Sequence, residues 1–139
     1  MKKIVCYLPT FVVVCVILYA TLTSNPMGDT SLPPIPYIDK IIHAVMMGGL
    51  LGTFAFDWQR ANPDKRLTPS FLWAVFGCVL AFGIADELLQ DYIDNGRSGD
   101  PYDFLADCVG AAIAVYLAPP VIRYVLHISG HRKMDVNIL

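Results

Sequence analysis

Asp86-Glu87-Leu88-Leu89-Gln90, then Gly96-Arg97, then Asp103-Phe104-Leu105-Ala106-Asp107 with Gly110 close behind, is the stretch that decides how this chain is read. Its carboxylates lie inside or at the edges of two strongly apolar segments. An ionisable side chain at the centre of a bilayer helix costs on the order of 3 kcal/mol or more, so such groups face the bundle interior and find partners. The stretch therefore reads as the end of one membrane helix, a polar turn, and the start of the next.

The rest of the sequence agrees. The chain has 139 residues, 55% hydrophobic and only 16% charged, where a soluble domain carries about 25% charged residues. Four windows are apolar over roughly the 17–25 residues that cross a bilayer: about 4–23, 41–58, 69–90 and 102–126. The expectation is an all-α, polytopic membrane protein with four transmembrane helices in one domain over 1–139. The first window could instead be a signal peptide with Lys2-Lys3 as its basic start. Its length and weak small-residue cleavage site favour an uncleaved helix. Cys6, Cys15, Cys78 and Cys108 form no CxxC pair and read as small buried hydrophobes.

Basic residues on short loops set orientation. Lys2, Lys3, Arg60, Lys65, Arg66, Arg123, Arg132 and Lys133 fall on one side of a four-span topology, leaving only Lys40 and Arg97 on the other. Both termini are expected in the cytoplasm. The loops Ser24–Asp39 and Asp91–Pro101 are expected outside, the first made semi-rigid by Pro26, Pro33, Pro34 and Pro36. Asp39, Lys40 and His43 begin the second helix, Glu87 and Gln90 end the third, and Asp103 and Asp107 begin the fourth. Residues three or four apart share a helix face, so these groups should converge in a polar pocket opening outward above an apolar floor. Carboxylates outnumber cations there. One carboxylate holds its proton, a divalent cation sits among them, or Lys40 and Arg97 fold over them. The inner parts of the helices hold almost no ionisable groups, which counts against a channel or a proton-coupled pump. No P-loop, Gly-x-Ser-x-Gly, His-Glu-x-x-His or basic nucleic-acid stripe is present.

These motifs resemble the VanZ-like family of small bacterial membrane proteins. Asp39-Lys40-Ile41-Ile42-His43 matches its Asp-Lys-x-x-His, Glu87-Leu88-Leu89-Gln90 its Glu-x-x-Gln, and Gly96-Arg97 its Gly-Arg turn. Asp103 to Gly110 matches its Asp-x-x-x-Asn-x-x-Gly, except that Asp107 stands where the family usually has Asn. The resemblance covers roughly residues 35–118. It implies a multi-pass protein of the bacterial cytoplasmic membrane. The founding member is associated with resistance to the glycopeptide teicoplanin, without a settled biochemical activity, and likeness of fold is a poor warrant for function.

Each polar residue has a functional and a structural reading. Arg97 and Lys40, with Asp39 and Gln90, would bind an anionic headgroup. Alternatively Arg97 is a salt bridge pinning the loop, and Lys40 snorkels to the headgroups. Glu87, His43, Asp103 and Asp107 would supply acid–base chemistry or metal ligation. Alternatively Glu87 ties helices with Gln90, His43 pairs with Asp39 or Asp103, and Asp103 caps its helix. Asp86 falls outside the family pattern and is expected to face the interface. Gly48, Gly49 and Gly52 are expected to pack helices within the molecule, and Gly110, Ala111, Ala112 and Ala114 to do the same for the fourth helix. Pro119-Pro120 should kink or end the last helix. The leading expectation is a protein binding or modifying an amphiphile at the outer leaflet: a lipid-linked cell-wall precursor, a phospholipid headgroup or a lipoglycopeptide. The competing one is a non-catalytic envelope scaffold whose polar cluster is structural and whose partners meet the Gly48–Gly52 face. No nucleic-acid partner is expected, and the sequence leaves cofactor and oligomeric state open.

Overall fold

A computed structural model describes residues 2–23, 37–93 and 101–128, with side chains from residue 4 onward. The Gly96-Arg97 turn, most of both expected outer loops and the C-terminal tail lie outside the described residues. Among those described, the protein is all-α: α1 (Lys2–Val5), α2 (Leu8–Leu22), α3 (Ile38–Ala61), α4 (Pro69–Ile93) and α5 (Pro101–Ile128). The last three are long and apolar enough to cross a membrane, and α2 is a shorter apolar helix.

The first apolar window is divided because Pro9 has no N–H to return to Val5. The chain turns at Cys6–Tyr7, with Tyr7 N–H donating to the Ile4 carbonyl at 3.1 Å, and α2 restarts at Leu8. No side chain of its own caps it. Asp57, from the last turns of α3, does so instead. Its Oδ2 accepts from the Thr10 N–H at 2.9 Å and the Thr10 hydroxyl at 2.6 Å. A carboxylate at a helix N-terminus satisfies orphan donors and complements the dipole. Asp57 is fully buried, so the expectation that the inner parts of the helices hold almost no ionisable groups needs this correction. Asp57→Ala should leave the first turn of α2 unpaired and lower stability by about 2 kcal/mol. Thermal melts in detergent check this; a melt equal to wild type would mean that α2 does not depend on the cap.

Helix α3 is the axis of the bundle. Met47, Leu51 and Ala55 recur every four residues along it, all fully buried. They face Ala111, Val115 and Ile122 of α5, Leu72 and Val79 of α4, and Ile17 of α2 in one core. The α3–α5 contact is the most extensive, and small residues explain it. A Cβ on Gly48 would lie 2.8 Å from the Gly110 carbonyl oxygen, and one on Gly110 would overlap the Ala44 carbonyl. Backbone thus meets backbone, which only glycine allows. Gly49 and Gly52 have nothing within 4 Å of a Cβ. Of that trio only Gly48 is packed against backbone, and α5 already covers its side of α3. Helix α5 runs through Pro119-Pro120 to Ile128, so the proline pair does not end it. Outside the core, Phe11, Val45, Ile84, Leu88, Ile113 and Leu117 are all exposed. Apolar surface on every helix is what a lipid solvent requires.

Candidate functional site

The Ala44–Gly110 crossing positions the polar cluster. His43 precedes one contact residue and Asp107 lies three before the other, so their side chains meet at the same end of the bundle. His43 Nδ1 lies 3.2 Å from Asp107 Oδ1, with Asp107 1% exposed. The remaining Asp107 oxygen, Oδ2, is buried without a hydrogen-bond partner. It lies 3.0 Å from where a Cβ on Gly83 would stand, so glycine on α4 makes room for the carboxylate.

A carboxylate is an acceptor, so it draws the Nδ1–H tautomer of neutral histidine and leaves the Nε2 lone pair for chemistry. Nε2 lies 3.9 Å from Asp103 Oδ2, too long for a hydrogen bond. Asp103 Oδ1 is taken by Lys40 Nζ at 2.7 Å, and the same ammonium reaches Asp39 Oδ2 at 2.9 Å. Lys40 therefore bridges α3 and α5 over the acidic residues. Of the three ways to balance charge, this side chain supplies the folded-over cation directly. Its place in an ion-pair network differs from the expectation that it snorkels.

Glu87, half-buried on α4, completes the group. His43, Glu87 and Asp103 each offer a ligand atom, all within 4.8 Å of one another. One imidazole and two carboxylates suit a divalent cation, and a histidine whose far nitrogen is held by a carboxylate is a common metal ligand. Lys40 competes for the same charge.

Gln90 departs from its expected role. Its Nε2 donates to Asp86 Oδ2 at 3.1 Å, one turn back, and not to Glu87. Asp86 is 3% exposed, which corrects the expectation that it faces the interface. Its Oδ1 accepts from the Thr21 hydroxyl at 2.9 Å, tying α2 to α4. The sequence signal was available: Gly83, Asp86 and Gln90 are spaced three and four apart on one face, and that face is buried. Asp57 gave a weaker signal, because its partner comes from the start of a separate helix. The structure thus gathers Asp39, Lys40, His43, Glu87, Asp103 and Asp107, places Gln90 with Asp86, and leaves Arg97 outside the described residues.

The sequence matches the family described as VanZ/LLP1 over residues 4–124. The chain belongs to the VanZ/LLP1 family. No curated protein and no solved structure was found to match it. The match takes in α2, α3, α4 and α5 as far as Tyr124, so the VanZ-like motifs at Asp39–His43, Glu87–Gln90 and Asp103–Gly110 fall at one end of a VanZ-like bundle. At Asp107, the position at which this VanZ-like chain departs from the family pattern, the carboxylate partners His43. An amide oxygen could accept the same hydrogen bond, so the departure adds charge without removing the contact.

Proposed function

We propose that this VanZ-like protein binds or modifies an amphiphile at the outer leaflet of the bacterial cytoplasmic membrane. The substrate class is a lipid-linked cell-wall precursor, a phospholipid headgroup or a lipoglycopeptide. The observation that carries the reading is the buried Asp107–His43 pair, which turns Nε2 toward Asp103 beside the Lys40 ammonium. A proton acceptor beside a cation is what recognition or transfer of an anionic, hydroxyl-bearing headgroup needs. The positive-inside rule supports the placement. Arg60, Lys65, Arg66 and Arg123 belong to the opposite end of the bundle, which supports a topology with both termini in the cytoplasm and the polar cluster outside. Lys40 and Arg97 would hold the anionic group, with Asp39 positioning Lys40. Glu87, His43, Asp103 and Asp107 would supply acid–base chemistry or hold a divalent cation. Family membership makes teicoplanin susceptibility the phenotype to score.

A second reading is favoured by a specific observation. Lys40–Asp103, His43–Asp107 and Asp86–Thr21 are internal pairs that join helices, as a structural cluster in a scaffold protein would. Native mass spectrometry of gently purified protein separates the two. The headgroup reading expects a lipid or metal adduct on the wild type that a folded Glu87→Gln, Arg97→Ala variant loses. Bare protein in both samples, with the variant only less stable, would overturn it in favour of the scaffold.

A further inference from the structure

A second site lies at the other end of the bundle. A cavity of about 590 Å³ opens between the start of α4 and the end of α5, within the roughly 300–1,000 Å³ of small-molecule sites. Its apolar floor is Leu72 and Val115, both nearly inaccessible. Its wall is Trp73 and Tyr116, whose rings meet edge to face at 6.2 Å. Both rings are exposed, Tyr116 at 69%. Arg66 and Arg123 line the same cavity from two different elements.

Two further features converge there. Helix α4 begins at this cavity, with Thr68 Oγ1 accepting from the Phe71 N–H at 3.2 Å, so the positive end of a 25-residue helix dipole adds to the arginines. Pro119 and Pro120, also in the lining, have no N–H to give the Val115 and Tyr116 carbonyls one turn back. The cavity thus combines an apolar floor, an aromatic wall, concentrated positive charge, and two lining residues, Val115 and Tyr116, whose carbonyls lack an i+4 N–H donor. That is the complement of a lipid with an acyl chain, a phosphate and a headgroup hydroxyl.

We infer that the Arg66–Arg123 cavity is a site for an anionic glycerophospholipid, distinct from the polar cluster. The phosphate sits between the two guanidiniums at the α4 N-terminus. One acyl chain lies against Leu72, Val115 and Trp73. A glycerol headgroup donates to the α5 carbonyls. Basic pockets between membrane helices are a recurring mode of anionic lipid recognition.

The test uses the full chain in mixed detergent–lipid micelles with phosphatidylglycerol or phosphatidylcholine. Bound lipid is counted by native mass spectrometry. Quenching of Trp73 by acyl-brominated lipid is read in a Trp58→Phe background. Wild type should retain phosphatidylglycerol over phosphatidylcholine. Arg66→Gln with Arg123→Gln should weaken that retention, and the brominated-lipid quenching, by roughly tenfold or more. Arg60→Gln with Lys65→Gln, which removes the same charge from the same end, should leave both intact. All four residues are exposed, so the variants should fold, which circular dichroism verifies. Equal retention of the two lipids by wild type, or equal loss in both double variants, would overturn the assignment.

Discussion

Replacing Gly110 with alanine is expected to cost the bundle its folded state in mild detergent. The added Cβ would sit 2.5 Å from the Ala44 carbonyl carbon and 2.6 Å from its Cα. Both are main-chain atoms in the middle of a helix, with no rotamer through which to yield. Overpacking usually costs about 1–3 kcal/mol. Here the helices themselves must separate, so a loss of about 3 kcal/mol or more is expected. The separation would open the most extensive contact in the molecule and draw His43 away from Asp107. Gly52→Ala is the matched control: a Cβ there meets nothing within 4 Å, and a change within about 0.5 kcal/mol is expected. Thermal unfolding of the three proteins side by side decides the matter. A Gly110→Ala protein melting with the wild type would show that α3 and α5 do not cross at this point.

The second large effect is expected at Asp107. Leucine there removes the acceptor for His43 Nδ1 at a site where Asp107 is 1% exposed. A buried N–H left without a partner costs about 1–3 kcal/mol, and the bulkier side chain must also pass Gly83, where the carboxylate already lies close. Asn should be tolerated, since its carbonyl oxygen can take the same bond. Nitrogen-15 spectra of labelled histidine give a readout that stability alone does not. Wild type and Asp107→Asn should hold His43 as the Nδ1–H tautomer, with Nε2 the acceptor. Asp107→Leu should release that preference. A wild-type His43 protonated only on Nε2 would contradict the pairing, and with it the acid–base role proposed for this residue.

These two positions also show how differently the two kinds of information arose. Gly110 and Asp107 stand out in sequence at once, one as the small end of a family motif, the other as a carboxylate in an apolar run. Their partners do not. Ala44 is an ordinary helix residue by composition, and what makes Gly110 irreplaceable is the distance between two backbones. His43 had Asp39 and Asp103 as nearer partners by motif order. The helix crossing gives its hydrogen bond to Asp107 instead.

Apolar segment length, the low charge content and the basic residues gathered at one end were enough to establish an all-α membrane protein and to place its polar residues at the other. Those properties follow from local chemistry, because a bilayer tests each segment for hydrophobicity and each backbone group for an internal partner. Pairings across helices are another matter. Asp57 caps a helix 47 residues earlier in the chain, Asp86 binds Thr21 across 65 residues, and Gly48 is packed while Gly52 is open. Each depends on the rotation and approach of one helix against another. Helical periodicity assigns a residue to a face, and only tertiary packing decides what that face meets.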